Sequence, residues 1–180
     1  MAVRLLFDTE TTGLIKSDSN KIEEQPYIIE IYACKIDDDY NMLGEFNTFI
    51  KPPVEVSREI TKITGITNDM IKDAPNFSKV YGDLANFFVG VDEMIAHNLP
   101  FDRSMVANEL VRVNKLINFP WPIKHTCTVA MSMGLEQRRL NLNALHKYAT
   151  GKDIINAHRA KDDVHALVRS YHWLMEESKK

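Results

Sequence analysis

Asp8, Glu10, Asp102, His158 and Asp163 stand out in this 180-residue chain for the chemistry that their types and spacing allow. Asp8 and Glu10 lie two apart at the end of an apolar run, AVRLLFD, which reads as a buried strand over residues 2–8. Strand side chains alternate between faces, so these two carboxylates project on the same side. Neighbouring carboxylates repel unless a proton or a cation neutralises them. An isolated D-x-E is more often a pair of solvated acids. Here Thr11-Thr12-Gly13 follows at once, a turn that lets the backbone approach a ligand closely.

Asp102 stands at the start of a predicted helix over 103–117, where Asp is also a good N-cap. It precedes Val106, the first residue of a predicted buried stripe that continues through Leu110, Val113 and Ile117. Cap and site are both open for it. The predicted last helix, 160–176, does separate two neighbouring acids. Its apolar stripe is Ala160, Val164, Leu167, Val168, Tyr171, Leu174 and Met175. At about 100° per residue, Asp163 falls at the rim of that stripe and Asp162 almost opposite it. Asp163 therefore faces inward and needs a partner, which a cation shared with Asp8 and Glu10 would supply. His158 precedes the helix by two residues, on a loop that can hang over the same rim. A lone His is more often a surface or capping residue. Beside a water held by cations it becomes a natural proton acceptor, because an imidazole titrates near neutrality. The other histidines show no zinc-ligand spacing.

The elements that must position these residues read as strands first and helices after. Residues 27–36 (YIIEIYACKI) are rich in β-branched and aromatic types, a strong strand signal. Asp37-Asp38-Asp39 makes a turn, and 45–51 alternates as a third strand, giving a three-stranded meander with a polar loop over 16–26. After Pro52-Pro53 the pattern turns helical. Ser57 caps a short helix to about Ile63, closed by Gly65; 78–90 is a second helix, 93–97 an inner strand, and 141–149 a helix that ends at the turn Gly151-Lys152-Asp153. This order indicates an α/β layered domain with a mixed sheet, one domain over residues 1–180.

Composition bounds the reading. The chain is 44% hydrophobic and 26% charged, with a net charge of −3, which argues against a large basic nucleic-acid surface. An acidic site that carries cations stays compatible with that charge. Asp8 and Glu10 interrupt the N-terminal apolar stretch before a signal-peptide core can form, and no run is long enough for a bilayer, so a cytoplasmic protein is expected. Cys34 and Cys127 read as buried free thiols in a reducing compartment.

Three segments resemble the exonuclease motifs of the DEDDh 3′→5′ exonucleases, a family that includes the proofreading subunit of bacterial replicative polymerase and ribonuclease T. They are FDTETTG (Phe7 to Gly13), HNLPFD (His97 to Asp102) and HRAKDD (His158 to Asp163). Smaller matches are YIIEIYACKID, TGIT (Thr64 to Thr67) and Ala74-Pro75 before Phe77. The likeness spans about residues 3–175, and His158 rather than a Tyr marks the DEDDh branch.

The resemblance implies a ribonuclease H-like α/β fold, with a central mixed five-stranded sheet flanked by helices. It implies two Mg²⁺ (or Mn²⁺) ions, with Asp8, Glu10 and Asp163 on one, Asp8 bridging to the second, and Asp102 holding the second partly through water. His158 is then the general base, and single-stranded 3′ ends, DNA favoured over RNA, are cut to nucleoside 5′-monophosphates. Thr11, Gly13 and Leu14 match positions that meet the terminal nucleotide. Phe101 can do the same or belong to the core, and His97 and Asn98 brace the second motif. This chain departs from many members at Thr64, where they have His, and at His125-Thr126, where they have Asp-Thr. Arg138-Arg139 with Lys124 can hold phosphates or form a solvated surface. A stand-alone enzyme is expected, with a polymerase or a second copy of the chain open as partner. A catalytically silent nucleic-acid-binding module is the reading of another class, disfavoured because all five site positions hold suitable residues.

Overall fold

The first apolar run forms an inner strand, β1 (Arg4–Thr11), in the computed structural model, which describes residues 2–136, 138–155 and 157–179. This strand runs three residues past its predicted end, so Asp8 and Glu10 lie within it. β2 (Ile28–Ile36) and β3 (Met42–Phe49) extend it as an antiparallel meander. On the other side β4 (Glu93–Ala96) pairs parallel to β1, and β5 (Lys124–Cys127) pairs parallel to β4. The result is a mixed five-stranded sheet in the order β3-β2-β1-β4-β5. The fold class is as the sequence indicates, although KHTC carries no pattern that marks β5 in advance.

The helices start where their caps allow. Ser57 caps α1 (Arg58–Thr64) by accepting the Ile60 N–H, and Gly65, at φ 72°, closes it. One short turn, α2 (Asn68–Ile71), went unpredicted; α3 (Phe77–Phe88) follows and buries Val80, Leu84 and Phe88. Next comes α4 (Leu99–Arg112), whose placement corrects the predicted span 103–117. Its N-cap is Asn98 and Pro100 falls in its first turn, where a missing N–H breaks no helical bond. The helix has ended by Asn114, which has a left-handed φ of 54°. Ile117 therefore lies beyond it in a 3-10 turn, Leu116–Asn118, and is 96% exposed rather than part of the buried stripe. Asp102 is consequently an internal residue of the first turn and not the cap. α5 (Thr128–Glu136) was not anticipated, α6 (Leu142–Thr150) is capped by Asn141, and α7 (Ala160–Glu177) runs nearly as predicted.

Alternation along β1 divides the molecule into layers. Leu5 and Phe7 pack with Val80, Leu84 and Phe88 of α3 and with Met105, Val106 and Leu110 of α4. Leu6 faces the opposite way, onto Ala160, Val164, Leu167 and Tyr171 of α7. The same alternation turns Asp8 and Glu10 toward the α7 side and Thr9 toward the α4 side. Cys34 is a buried free thiol, whereas Cys127 is only partly buried.

Leu167 sits 1% exposed in the layer between α7 and the sheet. Leu167→Ala should lower unfolding free energy by about 2–5 kcal/mol. Urea denaturation checks this; a loss below about 1 kcal/mol would mean that α7 is not packed there as described.

Candidate active site

Asp8 and Glu10 on β1 and Asp163 in the first turn of α7 converge, each offering a carboxylate oxygen within 4.8 Å of the others. Strand alternation supplies two of the three, and the inward face of α7 supplies the third. Asp162, its neighbour, is half-buried and outside this group. Asp163 also accepts the backbone N–H of His158 at 2.9 Å. Asp102 comes from the opposite face of the sheet. Its Oδ1 accepts from the Thr9 N–H at 3.1 Å and from the Thr9 hydroxyl at 2.8 Å, so the residue between Asp8 and Glu10 ties α4 to β1. Three acids thus form the cluster, and the fourth stands behind it with one oxygen occupied by Thr9.

Proximity and burial make the cluster hard to ionise. Asp8 keeps some exposure but is hemmed in by protein; burial, then the charges of Asp102, Glu10 and Asp163, hold its carboxyl well above the usual carboxylate range. Burial, with Asp163 and Glu30 nearby, pushes Glu10 to about 8, against a smaller opposing effect of Arg159. Burial lifts Asp102 to about 7 despite the two Thr9 bonds, and Asp163 to about 6 despite the His158 N–H. A set of hard oxygen donors that resists ionisation for want of positive charge suits Mg²⁺ or Mn²⁺.

A cavity of about 190 Å³ opens onto this cluster, lined by Asp8, Asp163, His158, His97, Asn141 and Leu142 among others. His158 is exposed and has a left-handed φ of 70°. His97 is buried enough for its pKa to fall to about 4, so it is neutral. The Leu140 carbonyl only accepts, so Nε2–H donates to it at 3.1 Å, and Nδ1 accepts from the Thr128 hydroxyl at 2.9 Å. Bracing is thus His97's role, and Asn98 contributes its left-handed backbone, φ 75°, without a side-chain cap bond. Thr11 is buried and its hydroxyl donates to the Gly13 carbonyl at 2.7 Å, shaping the turn. Leu14, next in the chain, is 80% exposed. Phe101 is partly buried against the α3–α4 core.

Several other expectations resolve here. The Thr64 hydroxyl donates to Ile60 O and accepts from Ile66 N–H, so it finishes α1. Thr126 donates to Glu93, and Lys124 pairs with Glu93 at 3.0 Å. Glu93 and Lys124 open their strands, at the end of the sheet remote from Asp8, so Lys124 does not join Arg139 in a patch over the site. Glu30 and Arg159 escaped the sequence reading. Glu30 is 2% exposed and lies opposite Glu10 in the β1–β2 register, bound to Arg159. A charged residue at the centre of YIIEIYACKI was the available signal.

A profile described as "Exonuclease", of the RNase T type, matches residues 5–171. The chain belongs to the RNase T exonuclease family. Among curated proteins it is 34% identical over 173 residues to the DNA polymerase III subunit epsilon of Treponema pallidum, covering 92% of this chain and 73% of that one. It is 32% identical over 162 residues to the PolC-type DNA polymerase III of Clostridium perfringens, covering 90% of this chain but 10% of that one. The chain therefore spans only about a tenth of the PolC-type relatives. The fold is shared with the nuclease domain of 3′hExo, a DEDDh family member, at a TM-score of 0.76, 17% identity and 97% and 92% coverage. E. coli Exonuclease I bound to a dT13 oligonucleotide gives 0.77 at 19% identity, covering 98% of this chain and 41% of that one. Within this fold three of the four acids singled out in the sequence, Asp8, Glu10 and Asp163, come together, and Asp102 lies behind them on Thr9.

The raised carboxyls predict the pH response of the cation-free protein. A carboxyl whose pKa is higher folded than unfolded favours folding at low pH, and that contribution fades as pH rises through the folded value. With Asp163 near 6, Asp102 near 7 and Glu10 near 8, Tm in chelator should fall between pH 5 and pH 8. Mn²⁺ should raise Tm more at pH 8 than at pH 5, and Glu10→Gln should reduce both effects. Scanning fluorimetry at the two pH values measures this; a flat chelator profile would contradict the described electrostatics.

Proposed function

We propose that this chain is a 3′→5′ exonuclease that hydrolyses single-stranded nucleic acid to nucleoside 5′-monophosphates. The carrying observation is the convergence of the Asp8, Glu10 and Asp163 carboxylates within 4.8 Å beside a cavity that His158 lines. On this reading Asp8, Glu10 and Asp163 hold one Mg²⁺ or Mn²⁺, and Asp102, one carboxylate oxygen of which is bonded to Thr9, serves a second. When bound, the two cations supply positive charge to the scissile phosphate and make the attacking water more acidic. His158 accepts the proton that this water releases; its exposed ring can reach a solvent molecule in the cavity and pass the proton on. Thr11 and Gly13 set the turn against which the terminal sugar lies. Leu14 offers its exposed side chain to the terminal base, and Phe101 backs the same nucleotide from α4.

DNA is the favoured substrate. The curated relatives bear the name DNA polymerase III, and Exonuclease I was solved with a dT13 oligonucleotide. RNA is the second reading, because one similarly folded nuclease domain was solved bound to rAMP and another 3′-exonuclease is described by its recognition of a histone mRNA stem-loop. We place residues 1–180 as one exonuclease domain in the cytoplasm. No helix among the described residues is long and apolar enough to cross a membrane. The epsilon relative supports a polymerase as protein partner.

Strands labelled at either end, DNA and RNA in parallel, test this with Mg²⁺, with Mn²⁺ and with chelator. Metal-dependent shortening from the 3′ end is expected. Asp163→Asn should abolish it while Asp162→Asn leaves it within about threefold, since Asp162 lies outside the acid cluster. His158→Ala should reduce turnover about 10²–10⁴-fold with metal affinity nearly intact. Activity that survives both chelation and Glu10→Ala would refute the proposed site.

A further inference from the structure

Glu30 and Arg159 have no part in the reaction as proposed, yet both adjoin its site. Glu30 is 2% exposed on β2, directly across from Glu10. Like charges placed opposite each other in an antiparallel pair repel, and a carboxylate at that depth requires compensation. Arg159 provides it with two parallel bonds, Nε to Oε2 at 3.2 Å and Nη2 to Oε1 at 2.9 Å. The Ala160 N–H donates to the same Oε2 at 3.2 Å. Glu30 therefore grips two consecutive residues at the start of α7, one by its side chain and one by its backbone. The guanidinium also lies 5.4 Å from the ring centre of Phe49, which is Glu30's partner across β2 and β3. A planar fork held along one edge by two parallel bonds, with a ring beside it, is restricted in its orientation.

His158 immediately precedes this clamp. Its φ of 70° is uncommon for a residue with a side chain and persists only where neighbours enforce it. On one side its N–H is fixed on Asp163 Oδ2 at 2.9 Å. On the other, the chain is held by Glu30 through residues 159 and 160. His158 lines the cavity beside Asp8 and Asp163, with a hold on each side of it along the chain.

We propose that Arg159 and Glu30 are positioning residues whose ion pair fixes the backbone that follows His158 and so aims its imidazole at the site. This rests on His158 being the proton acceptor. The pair touches neither substrate nor cation in this role, and its substitution acts through His158.

A double-mutant cycle on the full chain tests this, with Arg159→Gln made alone and together with His158→Ala. Steady-state kinetics on a single-stranded DNA oligonucleotide, Mn²⁺ calorimetry and thermal unfolding are measured for each. Arg159→Gln should lower kcat about 10–100-fold, the scale of a small misplacement of a reacting group, with KM little changed and Mn²⁺ affinity not weakened. Arg159→Lys keeps the charge without the fork and should recover part of the loss. In the His158→Ala background Arg159→Gln should cost nothing more. If its full effect persists there, the pair does not act through His158 and the proposal is overturned. Weakened Mn²⁺ affinity overturns it too, since the pair would then be positioning Asp163. Wild-type turnover in His158→Ala alone would instead bring down the proton-acceptor reading on which the proposal rests. Should Arg159→Gln fail to fold, Glu30→Gln, which keeps the shape and an acceptor oxygen, goes through the same cycle.

Discussion

Mutual repulsion among closely spaced and largely buried acids governs this end of the molecule. Asp8, Glu10 and Asp163 share one small region, Asp102 lies just behind it, and Glu30 lies across the strand pair. Three of these five carboxylates are stabilised, each by different donors. Asp102 has the amide and hydroxyl of Thr9, Asp163 has the His158 amide, and Glu30 has a guanidinium and an amide. Among the described residues Asp8 and Glu10 have no comparable side-chain or amide partner. They are the two acids that the strand's alternation forces side by side, and burial and neighbouring charge hold both above the ordinary carboxylate range. The protein's own donors thus compensate Asp102, Asp163 and Glu30 and leave the strand pair, Asp8 and Glu10, to an external cation or to protons.

The layered architecture makes that arrangement possible. β1 is an inner strand with helices on both faces, so its even positions meet α7 and its odd positions meet α4. One tripeptide, Asp8-Thr9-Glu10, can then present two carboxylates to one layer and a hydroxyl to the other. Thr9 couples the layers, because its bonds to Asp102 fix α4 against the strand that carries the other acids. The coupling crosses 93 residues of sequence. A substitution that slid β1 by one position would exchange the two faces and take both acids out of the cluster.

Much of this was legible before the structure, and the reasons are periodic. Alternation put Asp8 and Glu10 on one face, and the helical wheel selected Asp163 over Asp162; both arguments need only local geometry. The start of α4 was misplaced because Asp102 is a good cap by type, whereas Asn98 holds that place in a left-handed conformation that no pattern announces. Strand β5 escaped because four residues, half of them exposed, carry no alternation, and its strand pairing comes from β4. Glu30 escaped for a different reason. A buried charge in an apolar strand makes sense only with its partner, and Arg159 is 129 residues away in sequence. Non-local pairing is the information that a single sequence leaves out.

The contrast between buried acids and an exposed histidine follows from what each must do under the proposed reaction. Acids that hold a cation gain from burial, because surrounding protein strengthens their attraction to it and leaves them poorly compensated without it. A group that exchanges protons with water has to keep access to solvent, and His158 lies on the exposed loop at the cavity's edge. Exposure alone would leave that loop free to wander. Here the end of the loop at His158 is tied to the buried acids themselves, by its own N–H to Asp163 and by the next two residues to Glu30 on β2. The carboxylates that create the electrostatic problem therefore also anchor the exposed histidine beside them. Their repulsion and the placement of His158 are two consequences of the same packing.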